Sequence, residues 1–445
     1  MTISAIRWEL EPSCNLNCKH CFVGKSSLTY PKRIGLDAGL NILDNLHQVG
    51  VKELYFTTRE PLLNPYICQY IVRCTEYGIK TSLITNGICL NDEQLVSKLI
   101  NSGLCSISTS LEGPNAETND MIRGTNSFDK ALRGIVTFQN QTIKCGKTVP
   151  INLQMSLNAY NSNLCSTIPT LIDNLPFDSL SVGALSNSGN AKYNQDIFLD
   201  DERYFDLFTI LAKEYRKIKN PNYVLIFKSL MPWEAVLLRY LTGYDIYPVT
   251  PYCSILNGTY SMLSDGSIIP CISLYDENKT IHVYGNENNL TQKLESAFTR
   301  CVEEIKSENE TVKRLYCSNC YFSDRCFLCP ALVNDEKMKD AALSRCIKAK
   351  HRFEKLIEER YKEGCYLKID RSQVLYSYRE LVFQKNYADS IKKEFRFSIE
   401  SESDRFIEEL LQGLLYRKQS FKTENKIIRS LILDGVIALS GGHSA

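Results

Sequence analysis

The sequence predicts an α/β chain built on a parallel sheet, and three observations carry that prediction. Short β-branched runs alternate with longer amphipathic stretches over residues 3–218. The alternation closes six βα units, and a cysteine motif falls in the loop directly after the first run, where parallel sheets place their chemistry. Strands are expected at 6–10, 51–57, 80–84, 105–110, 149–157 and 179–183. Helices are expected at 36–49, 66–77, 91–102, 128–139, 164–175 and 201–218, where apolar residues recur at three- and four-residue spacing. Crossovers of this kind give a parallel sheet, open or curled.

A Pro- and Tyr-rich connector over 232–251 ends the alternation. Between Cys253 and Cys346 cysteine density rises, and the clear local element is a hairpin, 259–263 turning at Asp265-Gly266 into 267–269. A segment this irregular needs staples, which metal clusters supply. Beyond it a charged helix is expected at 351–362, then strands at 366–369, 374–378 and 381–384 and amphipathic helices at 404–415 and 425–437. The expected organisation is 1–220 for the βα repeat, 221–250 for the connector, 251–350 for the Cys-rich region and 351–445 for a small α+β C-terminal module.

With 445 residues, two or three domains and a sizeable core are expected. The 52 basic and 51 acidic residues nearly cancel, which leaves no electrostatic footprint for nucleic acid. No charged leader precedes an apolar run at the N-terminus and no stretch reaches the length of a membrane span, so a cytoplasmic, reducing setting without a membrane partner is expected. There, 18 cysteines read as metal-binding thiolates rather than disulfides.

Cys14, Cys18 and Cys21 stand at CxxxCxxC spacing. Three thiolates hold three corners of a four-iron, four-sulfur cluster and leave one iron open to a substrate or cofactor. Structural zinc sites and ordinary ferredoxin sites close with four ligands, and the next cysteine, Cys68, is far along the chain. The alternative for the three thiols is packing, or zinc with His20.

This motif, on a βα repeat of this length, resembles the radical S-adenosylmethionine (radical SAM) superfamily, and the resemblance implies a partial (β/α)6 barrel. In that family the amine and carboxylate of S-adenosylmethionine chelate the open iron. One electron from the reduced cluster then gives a 5′-deoxyadenosyl radical that takes hydrogen from substrate. A flavodoxin- or ferredoxin-type electron donor is implied as a partner.

Further motifs follow in family order. Phe56-Thr57-Thr58-Arg59-Glu60-Pro61 resembles the GGEP motif that receives the methionyl amine, with Thr58 and Arg59 at the glycine positions. Arg59 either points out of the pocket or reaches a carboxylate. Thr85-Asn86-Gly87 resembles the end of the third strand, and Ser108-Thr109-Ser110-Leu111-Glu112-Gly113 the segment near the ribose. Ser110 and Glu112 are ribose contacts or a polar strand end and helix cap. In Ile122-Arg123-Gly124, Arg123 binds the cofactor carboxylate or holds a loop. The cofactor-binding residues implied are Thr58, Glu60, Asn86, Ser110, Glu112 and Arg123, with no catalytic acid or base identified.

The second cysteine set, Cys253, Cys271, Cys317-x2-Cys320-x5-Cys326-x2-Cys329 and Cys346, resembles the SPASM extension, which carries two auxiliary iron-sulfur clusters. By correspondence Cys317, Cys320, Cys326 and Cys346 ligate the outer cluster and Cys253, Cys271 and Cys329 the inner one, which is one cysteine short. A zinc-ribbon-like module from Cys317 to Cys329 is the alternative. Cys68, Cys74, Cys89, Cys105, Cys145, Cys165, Cys301 and Cys365 stand singly, and core packing is the expected role for most of them.

Within the SPASM group the arrangement is most similar to peptide maturases of the sactipeptide and thioether class. That implies a ribosomally made precursor peptide as substrate and a thioether, Cys sulfur to carbon, or another crosslink as product. Formylglycine-type oxidation is the alternative, although Cys271 is followed by Ile272-Ser273-Leu274-Tyr275 where that branch has an aspartate. The competing class is a non-catalytic iron-sulfur scaffold that holds a peptide, because Thr58 and Arg59 interrupt the amine motif. The C-terminal module reads as a leader-peptide-binding unit or as a dimerisation or barrel-covering one.

Overall fold

The computed structural model describes residues 3–24, 33–244, 246, 253–274, 283–284, 289–318, 320, 322, 326–330, 336–362, 366–369 and 437–440. The chain divides into two compact units, one of residues 1–232, 241–244 and 249–345, the other of 233–240, 245–248 and 346–445.

The first unit is a mixed α/β body around a sheet whose central strands are parallel. In chain order the strands are β1 Ala5–Glu9, β2 Glu53–Thr57, β3 Lys80–Thr85, β4 Ser106–Ser110, β5 Ile151–Leu157, β6 Ser179–Ala184, β7 Val224–Phe227, β8 Thr259–Met262, β9 Ser267–Ile269 and β10 Val283–Tyr284. The helices are α1 Leu36–Gln48, α2 Ile67–Glu76, α3 Glu93–Asn101, α4 Ala116–Arg123, α5 Ser127–Lys144, α6 Ile168–Ile172, α7 Asp201–Tyr215, α8 Pro232–Thr242, α9 Leu290–Tyr316 and α10 Glu336–Lys362, of which α8 and α10 belong mostly to the second unit. Sheet order is β10-β9-β8-β1-β2-β3-β4-β5-β6-β7, so β1 is interior, paired in parallel with both β2 and β8.

Burial alternates along β2, β3, β4 and β5. Buried Trp8 of β1 packs on Phe56 of β2 and on Tyr70 of α2, with ring centroids 6.0 and 5.3 Å away. The opposite face is polar and half-buried, with Ser82 bonded to Ser106 at 2.8 Å and Asn152 donating to Ser181 at 3.2 Å. A parallel sheet covered on both sides reads as continuous apolar runs; this one leaves a polar face beside the C-terminal loops.

All six expected strands are present within a residue or two of their expected bounds. Four differences have physical causes. β7 is only four residues long, and polar α4 carries little apolar periodicity. The expected connector forms α8, because Pro232 at its first position lacks only an N–H that a helix start leaves unpaired anyway. The region expected to hold only a hairpin also contains the 27-residue α9. The helix expected at 351–362 is the end of the longer α10. The hairpin itself is present as β8 and β9, joined to the main sheet through β1.

In the second unit Phe353 of α10 packs against Trp233 and Tyr240 of α8 at 6.0 and 5.4 Å between ring centroids. A strand at Tyr366–Ile369 pairs antiparallel with one at Ile437–Ser440. The expected elements at 374–378, 381–384 and 404–415, and 425–437 up to its last residue, lie outside the described residues. Among the described residues no helix is long and apolar enough to cross a membrane.

Candidate functional site

The loop after β1 carries Cys14, Cys18 and Cys21, and two distant segments hold it. On one side the Lys19 N–H donates to the Ile122 carbonyl at 2.8 Å, and the Cys18 thiol points at the Arg123 carbonyl at 3.9 Å. On the other, the segment after β6 closes on the loop. The Asn190 N–H donates to the Cys21 carbonyl at 2.8 Å, its side-chain amide to the Cys18 carbonyl at 2.9 Å, and the Ser188 hydroxyl to the Phe22 carbonyl at 3.1 Å. Gly189 sits at φ 55° with the Cys21 carbonyl oxygen 2.4 Å from where a Cβ would stand, so a side chain is excluded there. Two thiols accept from the loop's own backbone, Cys14 from Leu16 and Cys21 from Gly24, each at 3.4 Å.

These cysteines line a pocket of about 370 Å³ at the C-terminal ends of the strands. Thr58, Asn86, Ser110, Glu112 and Arg123 share its wall, so five of the six expected cofactor-binding residues converge with the three thiols. Glu60 does not line it. It is fully buried and accepts from the Leu62 N–H at 3.1 Å, the Thr85 hydroxyl at 2.7 Å and the Asn86 N–H at 2.8 Å. Its carboxylate ties the second-strand motif to the third, and Asn86 in turn donates to Asn15 of the cysteine loop at 2.5 Å.

Thr58 and Arg59 occupy left-handed backbone conformations, φ 64° and 48°. The turn therefore keeps the geometry that glycine favours although neither residue is glycine, and β-branched Thr58 is the more strained. Arg59 reaches a carboxylate: its Nε donates to buried Glu9 Oε1 at 3.0 Å and its Nη1 to the Gly24 carbonyl at 3.3 Å. One side chain thus links β1, the turn after β2 and the end of the cysteine loop.

Glu112 is buried between His20 and Arg123. Its Oε1 lies 3.2 Å from His20 Nε2 and 3.6 Å from Arg123 Nη1, and Oε2 accepts from the Ser156 N–H at 2.8 Å. Burial opposes its charge, but His20, Arg123 and that N–H together hold its carboxyl below the usual carboxylate range. The Arg123 carbonyl thus faces the cysteine loop, while its guanidinium pairs with Glu112 and the residue lines the pocket. Burial pushes the Cys18 thiol up to about 11 against the pull of Arg123.

Three thiols on one pocket wall, two of them accepting N–H bonds, suit an iron-sulfur cluster, whose sulfur ligands are tuned by such bonds. Among the described residues no three His, Cys, Asp or Glu side chains gather as ligands of one metal ion. A four-iron cluster takes each thiolate on a different iron and does not require that closeness.

The second cysteine set also gathers by parts. Cys253 is buried before β8, Cys271 follows β9, and after burial itself the charges of Cys329 and Cys271 push the Cys253 thiol up. Burial, then Cys317 and Cys320, pushes Cys326 up to about 12. Cys346 falls in the second unit.

Six contributors lie outside the expected site residues: His20 as the partner of Glu112, Gln154 and Ser156 on the pocket wall, and Ser188, Gly189 and Asn190 against the cysteine loop. A turn-rich run directly after the sixth strand was the available signal for the last three.

Residues 8–153 match the family described as the Radical SAM superfamily, a segment that contains the three cysteines and most of the pocket wall. The AdoMet-dependent heme synthase of Methanosarcina barkeri is 27% identical over 60% of this chain and 76% of its own length. The mycofactocin maturase MftC of Mycolicibacterium smegmatis is 30% identical over 30% of this chain, and the chain spans 34% of that protein. Among solved structures, Streptococcus suis SuiB bound to S-adenosylmethionine aligns with a TM-score of 0.51 at 16% identity, covering 65% of each chain. Native anSMEcpe with bound AdoMet aligns with a TM-score of 0.52 at 16% identity, covering 79% of this chain and 100% of its own. At these identities the structural likeness is one of fold.

Proposed function

We propose that this radical SAM chain is a peptide-modifying maturase that acts on a ribosomally made precursor, forming a thioether or another crosslink. The observation that carries the reading is the convergence of Cys14, Cys18 and Cys21 with Thr58, Asn86, Ser110, Glu112 and Arg123 on one pocket. In this reading the three thiolates hold a four-iron cluster, S-adenosylmethionine occupies the pocket, and the sheet is the partial barrel of the family. When bound, the cluster and S-adenosylmethionine supply a carbon radical able to take hydrogen from an unactivated C–H bond.

The chain's own residues fix the setting. Arg123 offers a buried guanidinium for a carboxylate, and Glu112 balances it so that the wall is not left with an unpaired cation. Thr58 and Arg59 keep a glycine-like turn on the pocket wall, and the Arg59 guanidinium is turned to Glu9. Ser110 of β4 and Gln154 and Ser156 of β5 offer hydrogen-bonding groups on the pocket wall to a peptide. Cys253, Cys271 and Cys329, and Cys317, Cys320, Cys326 and Cys346, are proposed to hold two auxiliary clusters of a SPASM region. A flavodoxin- or ferredoxin-type protein is the proposed donor.

MftC is by name a maturase, and SuiB has been solved with a precursor peptide, which says this of those proteins. A second reading follows from the heme synthase match, which covers more of this chain than the MftC match does: a tetrapyrrole substrate. Co-expression with a candidate precursor and mass spectrometry separates them. A loss of two hydrogens with a protected cysteine supports the thioether, and an unchanged peptide with 5′-deoxyadenosine formed only in the presence of an iron porphyrin supports the tetrapyrrole.

A further inference from the structure

Cysteine 301 lies on the buried face of α9, one turn beyond Phe298 and one turn before Ile305. Two anchors on that face set its surroundings. Phe298 stacks on Tyr260 of β8 with ring centroids 5.3 Å apart, which ties this turn of the helix to the hairpin that Cys253 precedes and Cys271 follows. Further along, the Asn309 side chain donates to the Leu328 carbonyl at 2.7 Å and accepts from the Leu328 N–H at 3.3 Å, fixing the segment that continues into Cys329. Asn309 is itself buried, so this two-way bond is an enforced contact rather than a surface one. Cys301 therefore stands on the helix face that joins the anchors of the other three thiols.

Resting on the auxiliary-cluster reading above, we propose that Cys301 is the fourth ligand of the inner cluster, alongside Cys253, Cys271 and Cys329. After burial and Glu304, the charges of Cys253, Glu308 and Cys271 also raise the Cys301 thiol. Cys301 is only half-buried, whereas a packing cysteine such as Cys165 is fully buried. Ligand spacing in the sequence hides Cys301 because the helix, not a CxxC turn, delivers it. The consequence is chemical: an inner cluster closed by four thiolates has no iron free for a substrate cysteine, which leaves it the role of an electron carrier.

The test uses the full chain with Cys14, Cys18 and Cys21 changed to Ala, so that only auxiliary clusters form on anaerobic reconstitution. Iron content, EPR of the dithionite-reduced protein and the rate of iron removal by a chelator are compared for that background and for added Cys301→Ser, Cys301→Asp and Cys165→Ser. The expected result is that Cys301→Ser loses iron or releases it about tenfold faster, and that 2-mercaptoethanol perturbs its EPR spectrum but not that of the background. Cys301→Asp, which keeps a ligand atom, recovers iron retention, and Cys165→Ser matches the background. Equal iron, EPR and thiol response in Cys301→Ser and the background would overturn the assignment while leaving the auxiliary clusters intact. A background protein that holds no iron would overturn the auxiliary-cluster reading and this assignment with it.

Discussion

Replacing Arg59 with Met should destabilise the first unit in a pH-dependent way. In the folded chain Arg59 Nε pairs with Glu9 Oε1 at 3.0 Å, and the two side chains are 10% and 3% exposed. Glu9 Oε2 has no hydrogen-bond partner, so loss of Arg59 leaves a buried carboxylate without its principal compensation. Breaking one side of a buried pair costs about 3–5 kcal/mol. Burial already holds the Glu9 carboxyl above its ordinary value, with Arg59 pulling it down and Asp265 pushing it up. A carboxyl raised by folding contributes stability that is full below its unfolded value and is lost as pH rises through its folded value. Removing Arg59 raises it further. The deficit of Arg59→Met should therefore be small below about pH 4.5 and grow toward neutrality. Urea titration of the anaerobic apo-protein across that range, followed by circular dichroism, measures it. The Glu9→Met, Arg59→Met cycle should show a coupling of roughly 2 kcal/mol or more at pH 7. A deficit under about 0.5 kcal/mol, or one that does not change with pH, would refute the pairing as the support of this turn.

Other perturbations act on the same framework. Thr58→Gly removes a strained β-branched residue at φ 64° and should stabilise the apo-protein by about 1 kcal/mol in the same titration. Glu60→Ala strips the buried acceptor from Leu62, Thr85 and Asn86; a loss of roughly 3 kcal/mol is expected, with faster amide exchange at residues 85–87. Gly189→Ala drives a Cβ to 2.4 Å from the Cys21 carbonyl, and the reconstituted protein should retain less iron than wild type under a chelator.

Local patterning made the first half of the fold legible. In β5 the alternation Ile151, Leu153, Met155, Leu157 is complete, and α2 repeats its apolar residues at Ile67, Tyr70, Ile71 and Cys74. Helix α9 is less legible because its single apolar stripe, Leu290, Leu294, Phe298, Ile305 and Val312, runs through an otherwise charged segment. The parallel pairing of β8 with β1 joins residues some 250 positions apart in sequence, and no local signal specifies it. The site divides in the same way. The cysteine loop, Asn86, Glu112 and Arg123 lie in short motifs, whereas the clasp by Ser188, Gly189 and Asn190 exists only once the chain has returned along β6. Glu60 illustrates a further limit: its motif marks its position, but its carboxylate is spent on Leu62, Thr85 and Asn86 rather than exposed to the pocket.

The central claim is that Cys14, Cys18 and Cys21 support reductive cleavage of S-adenosylmethionine in this pocket. Its direct measurement is 5′-deoxyadenosine formation by the anaerobically reconstituted, dithionite-reduced full chain, beside the variant in which all three cysteines are Ala. Product from the first and none from the second is the result the pocket predicts. A cluster-loaded wild-type protein that forms no more 5′-deoxyadenosine than the variant, with precursor peptide or iron porphyrin present, would contradict it.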